Sequence, residues 1–186
     1  MENAVKRNTA QRTEEGLTVR DVILVGTLLA AGAVLKFFVG AAVSFGGMKP
    51  NFIIAMYCLC ILLIRPKAHE AAAIGLIAGA ICQLFPGTPY INLISEGIGG
   101  AAAYMLMRVP LRFKKTDLSP AFTTFFTTLI SGFTYLGVLY LALYMGADVK
   151  PAALAVFAGI IFGTAFLNTL MVSVLYVPMR LALEKK

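Results

Sequence analysis

The sequence predicts an all-α integral membrane protein, a bundle of six transmembrane helices without a soluble domain, and three observations carry that reading. Of 186 residues, 59% are hydrophobic and only 13% charged, where a soluble domain runs at about 25% charged. The apolar stretches recur toward the C-terminus and are too long and too many for a cleaved leader. The formal charge of +7 comes from basic residues gathered in short segments between the apolar runs, a pattern of membrane topology rather than of nucleic-acid binding.

Residues 1–17 are polar and mixed in charge and read as a flexible cytoplasmic tail; residues 18–186 form a single membrane domain. Thr18 with Asp21 three residues on makes a capping-box-like start for helix 1, about 18–39. The glycine-rich turn Gly46-Gly47-Met48-Lys49 leads into helix 2, about 50–64, with Pro50 at the first helical position, where its missing N–H has no partner in any case. Arg65-Pro66-Lys67 breaks the chain before helix 3, about 68–85, which ends at Pro86-Gly87-Thr88-Pro89. Helix 4 covers about 92–107. Helices 2 and 4 fall short of the about 20 residues of a full span, so an end of either that stops below the bilayer surface needs a polar cavity or protein cover. Ser119-Pro120 opens helix 5, about 120–145, and helix 6 runs over about 151–183 with a kink expected at Pro178.

Orientation follows from the basic residues. With the N-terminus inside, Lys6, Arg7, Arg12, Arg20, Arg65, Lys67, Arg108, Arg112, Lys114, Lys115, Arg180, Lys185 and Lys186 are cytoplasmic, and only Lys36, Lys49 and Lys150 are not. Both termini are then cytoplasmic.

Several classes of chemistry are excluded. No G-x-x-x-x-G-K-[ST] loop is present to couple ATP hydrolysis, and His69 has neither an H-E-x-x-H partner nor a serine arrangement. Cys58, Cys60 and Cys82 lie in apolar segments without zinc-site or disulfide spacing and read as buried thiols. The chain reads as a non-enzyme with no metal and no cofactor.

The candidate site lies at the outer end. Lys36 is near the outer end of helix 1, where it either snorkels to the interface or serves a ligand. At Lys49, Gly46 and Gly47 allow close backbone approach, the start of helix 2 offers unpaired N–H groups and a positive dipole end, and the ammonium adds a full charge. A carboxylate fits there; the alternative is a surface lysine at a loop end. Gln83, Asn92, Ser95 and Glu96 form a second polar cluster at the same face. Glu96 either takes a substrate ammonium or pairs with Lys36 or Lys49. Ser131, Thr134, Tyr135, Asn168 and Thr169 supply polar groups suited to interhelical hydrogen bonds. On helix 1, Gly26, Ala30 and Ala31 make a small-residue strip for a packed helix, from the bundle or from a partner.

Gly46-Gly47-Met48-Lys49-Pro50-Asn51, Asn92-Leu93-Ile94 after the Pro86-Gly87 turn, and Leu167-Asn168-Thr169 resemble the tryptophan transporter TrpP family over most of the chain. The size and six-helix layout also resemble the substrate-binding S components of energy-coupling factor (ECF) transporters. The resemblance implies a multi-pass protein of a bacterial plasma membrane that captures a small aromatic nutrient, tryptophan in the named family. Its partners would be an ECF transmembrane subunit and two ATPase subunits. Gly26, Ala30 and Ala31 match the helix 1 strip that contacts the transmembrane subunit, although this chain has Gly26-xxx-Ala30 where alanine-xxx-alanine is usual. Residues 41–48 match the gating loop. The substrate-binding set is then Lys49, Asn51, Gly46, Gly47, Asn92, Glu96, Gln83, Lys36, Asn168 and Tyr135, with Lys49 on the carboxylate. Glu96, or a carbonyl of Asn92 or Gln83, takes the ammonium or indole N–H, and Phe37, Phe38, Phe45 and Tyr90 are candidates to cover the ring. The chain has no Trp beside 13 Phe and 7 Tyr, which agrees with a protein made when tryptophan is scarce. Two rival readings are a stand-alone ion-coupled carrier with Glu96 as a proton site and a non-transport scaffold.

Overall fold

A computed structural model of the chain describes residues 16–42, 49–88, 90–113, 116–147 and 154–184. Among these residues there are six helices: α1 (Val19–Ala42), α2 (Ile53–Ile64), α3 (Ala68–Cys82), α4 (Ile91–Leu106), α5 (Ser119–Tyr144) and α6 (Leu154–Glu184). Between α4 and α5 lies a two-residue antiparallel ladder, β1 (Arg112–Phe113) with β2 (Thr116–Asp117), in which Arg112 faces Asp117. The molecule is an all-α membrane protein. By length and composition α1, α5 and α6 are long and apolar enough to cross a membrane, whereas α2 has 12 residues, α3 15 and α4 16.

α2 is the centre of the bundle and packs against each of the other five helices. Its sequence, IIAMYCLCILLI, is apolar on every side apart from one tyrosine hydroxyl, and every residue but Leu63 is buried, as expected of a helix without a polar face. The remaining helices form a chain of neighbours around it, α3 on α4, α4 on α5 and α5 on α6, while α1 packs chiefly on α2.

Helix ends explain the short elements. Thr18 and Asp21 cap α1 reciprocally: Thr18 Oγ1 donates to Asp21 Oδ2 at 2.7 Å and the Asp21 N–H donates to Thr18 Oγ1 at 3.3 Å. Glu70 closes the start of α3 by accepting the Lys67 N–H at 2.7 Å and also holds the Leu17 N–H at 3.2 Å, tying the entry of α1 to α3. α2 opens at Ile53 rather than at Pro50. The reason is that Asn51 is committed elsewhere, its side chain to Glu96 and its carbonyl to Asn168, which keeps Lys49–Asn51 out of the helix. α3 ends at Cys82; residues 83–85 follow as tight turns bonded three residues back, from Gln83 N–H to Ala80, Leu84 N–H to Ile81 and Phe85 N–H to Cys82. α6 continues through Pro178 as one helix.

The closest helix crossing is α3 on α4. Gly75 and Gly100 stand Cα to Cα across it, and a Cβ added at Gly75 would collide with the Glu96 carbonyl. One added at Gly79 would come within 2.6 Å of the Asn92 carbonyl. Small residues at Ala71, Gly75 and Gly79, four apart, let the two backbones touch, the small-xxx-small device of membrane helices. This seam sets the depth at which Glu96 and Asn92 enter the bundle.

Candidate ligand-binding cavity

A cavity of about 220 Å³ opens between the helices. α1 contributes Lys36, the segment before α2 contributes Lys49 and Asn51, and the end of α3 contributes Cys82 and Phe85. α4 adds Asn92 and Glu96, α5 adds Thr128, Ser131 and Tyr135, and α6 adds Phe157, Ile161 and Thr164.

At its floor Glu96 is 2% exposed. Three neutral donors converge on its carboxylate: Asn51 Nδ2 reaches Oε1 at 2.7 Å, and Tyr57 Oη and Ser131 Oγ reach Oε2 at 3.0 and 2.9 Å. The donors come from the entry of α2, from α2 itself and from α5, so one side chain pins three segments to α4. Gly99 makes room for this arrangement, since a Cβ there would strike the Tyr57 hydroxyl.

Lys36 enters from the opposite wall and is 8% exposed. Its ammonium donates to Cys82 Sγ at 3.2 Å and lies 5.1 Å from the centroid of the Phe85 ring. Lys49 is exposed at the rim. Among the described residues no carboxylate lies within ion-pairing distance of either lysine.

Of the residues singled out from sequence, Lys36, Lys49, Asn51, Asn92, Glu96 and Tyr135 line this cavity. Asn168 stands behind it, fully buried, donating to the Asn51 carbonyl at 3.1 Å and to Thr128 Oγ1 at 3.3 Å. Gln83 lies away from it: its amide donates to the Gly79 carbonyl and accepts the Tyr90 N–H, bridging the turn from α3 to α4. Gly46, Gly47 and Phe45 fall outside the described residues. Phe37, Phe38 and Tyr90 point away from the cavity and are 59%, 67% and 71% exposed; the aromatic walls are Phe85, Tyr135 and Phe157 instead. Gly26, Ala30 and Ala31 lie on the exposed face of α1, and a Cβ added at Gly26 meets nothing.

Sequence reading missed Tyr57, Cys82, Phe85 and Phe157 and gave Ser131 only a generic role. A signal existed for Ser131. It closes the series Thr123, Thr124, Thr127, Thr128, Ser131, one helical face of α5 whose hydroxyl residues are all buried. Tyr57 is the one polar-tipped residue in an all-apolar helix that must be buried, and so needs a buried partner.

Fold and cavity together define a helical membrane protein with an internal chamber of small-molecule size, lined by cations and aromatic rings. The chain belongs to the tryptophan transporter TrpP family, whose profile matches residues 18–184. It is 25% identical over 163 residues to a protein of Bacillus subtilis (strain 168) described as "Probable tryptophan transport protein", covering 86% of this chain and 90% of that one. A protein of Clostridium acetobutylicum with the same description is 26% identical over 168 residues, covering 88% of this chain and 94% of its own length. No solved structure gives a significant match.

Proposed function

We propose that this chain is the membrane-embedded substrate-binding protein for tryptophan uptake and that the amino acid occupies the cavity between Lys36, Lys49 and Glu96. The observation that carries this reading is a pair of lysines that, among the described residues, form no ion pair, at a chamber walled by Phe85, Tyr135 and Phe157. Cations at the rim and wall suit a carboxylate, and flat aromatic and aliphatic walls suit an indole ring. Family membership supports the substrate. The termini are cytoplasmic and the cavity opens outward, in keeping with the distribution of basic residues. The chain is energised by an ECF module of one transmembrane subunit and two ATPase subunits, and the exposed Gly26, Ala30 and Ala31 face of α1 is the contact surface.

Tryptophan titrated into the purified chain in lipid nanodiscs tests the binding reading. Lys49→Ala is expected to weaken binding at least about tenfold, equivalent to about 1.4 kcal/mol. Unchanged affinity in that variant would remove Lys49 from the site. Co-purification of an ATPase pair and ATP-dependent uptake test the energising module, and uptake by the lone chain in ATP-free vesicles would replace it with an ion-coupled carrier.

A further inference from the structure

We propose that the carboxylate is the only charged group of the ligand that this cavity recognises, with Lys36 as its buried anchor, and that Glu96 is a positioning residue closed to the ligand's amino group. This rests on the reading of the cavity as the tryptophan site and goes beyond it by assigning the two charges.

No carboxylate lies within ion-pairing distance of Lys36 among the described residues; Glu96 acts on it only through space. A buried ammonium is costly unless paired, and here its direct contacts are a thiol at 3.2 Å and a ring face at 5.1 Å. Both are weak substitutes for a carboxylate. A ligand carboxylate arriving between Lys36 and the exposed Lys49 completes the pairing that the fold omits.

Glu96 has the opposite status. Each of its oxygens is already engaged, Oε1 by Asn51 and Oε2 by Tyr57 and Ser131. Three of its four acceptor positions are filled, so an incoming ammonium would have to share Oε1 with the amide of Asn51, which is itself held from behind by Asn168 at 3.1 Å. All three donors belong to the protein, and Glu96 offers the ligand little room. With two lysines against one carboxyl the cavity carries a net positive charge, the complement of a monoanion rather than of a zwitterion. An amino group on the ligand is left to neutral acceptors such as Tyr135, Thr164 and Asn92.

The test titrates three compounds separately into the full chain in nanodiscs: tryptophan, indole-3-propionate without the amino group, and tryptamine without the carboxylate. Indole-3-propionate is expected to bind within about tenfold of tryptophan, and tryptamine at least about 100-fold more weakly, because a site built for a group rejects the analogue that lacks it. Tryptamine binding within about tenfold of tryptophan, or failure of indole-3-propionate, overturns the proposal. If tryptophan fails while indole-3-propionate binds and tryptamine does not, the tryptophan reading falls and the charge assignment stands; if none binds, both fall. Lys36→Met keeps an unbranched chain without the ammonium and is expected to erase the preference, costing the two carboxylates at least about 100-fold and leaving tryptamine unchanged. Glu96→Gln separates positioning from direct contact. It should weaken tryptophan and indole-3-propionate by the same factor, with Asn51→Ala reproducing the loss and the double variant adding nothing; a loss confined to tryptophan would assign Glu96 to the amino group.

Discussion

Asn51 Nδ2 donates to Glu96 Oε1 at 2.7 Å across 45 residues of sequence, joining the entry of α2 to the middle of α4. Through this bond the lysine-bearing segment before α2 and the acidic floor of the cavity form one unit. The same asparagine passes its carbonyl to Asn168 on α6, so the unit extends across the bundle. Rigidity of the cavity floor follows from that closed set of bonds.

Removing a donor from Glu96 should therefore weaken the fold as well as the site. Tyr57→Phe deletes one hydroxyl at 3.0 Å and leaves the ring in place. The expected loss is about 0.6–1.7 kcal/mol of unfolding free energy, the range for interhelical hydrogen bonds in membrane proteins. Thermal or denaturant unfolding in detergent, compared with the parent chain, reads it.

The α3–α4 seam predicts a strong position dependence among glycines. Gly75→Ala drives a Cβ into the Glu96 carbonyl, whereas Gly163→Ala on the exposed face of α6 meets nothing within 4 Å. Gly75→Ala is expected to lower the melting temperature by several degrees and to weaken ligand binding through displacement of Glu96. Gly163→Ala should be neutral or stabilising by about 0.5–1 kcal/mol from helix propensity alone.

Cys82 offers a chemical readout of occupancy. All three cysteines are buried, but Cys82 lines the cavity, whereas Cys58 and Cys60 on α2 do not. A small thiol reagent should modify Cys82 first, tryptophan should slow that modification, and Cys82→Ala should remove the protectable labelling. Mass spectrometry of intact protein with and without ligand checks all three, and labelling at Cys82 that tryptophan leaves unchanged would place the ligand elsewhere.

Thr123 carries a buried hydroxyl without a hydrogen-bond partner. Thr123→Val keeps the shape and removes the unmet group, whose burial costs about 1–3 kcal/mol. The variant is expected to be as stable as the parent or more so by unfolding in detergent, with tryptophan affinity unchanged.

Gly26 and Ala30 separate binding from energisation. Both sit on the exposed face of α1, away from the cavity. Gly26→Leu is expected to leave tryptophan binding by the isolated chain unchanged and to abolish uptake driven by an ATPase module. Full uptake in that variant would move the partner contact to another face.

The all-α membrane class was legible from apolar run length and charge placement, and a polar cluster around Lys36, Lys49, Asn92 and Glu96 was legible from the rarity of such groups in apolar segments. The partners of Glu96 were not. Gln83 looked equivalent to Asn92 in sequence, yet the end of α3 turned it back onto Gly79. Phe37 and Phe38 looked near enough to cover a ring, but their positions on α1 face outward. Pro50 read as a helix start, and the competing bonds of Asn51 delayed α2 to Ile53.

The sequence by itself determined the solvent and the order of the helices, because apolarity and its run length are local properties of a chain. Tertiary structure alone decided which polar groups meet. The donors to Glu96 lie 45, 39 and 35 residues away along the chain, and what brings them together is the packing of α4 against α2 and α5. A helix face that points inward in one packing points to lipid in another, so the charge balance of the cavity exists only once the helices have chosen their neighbours.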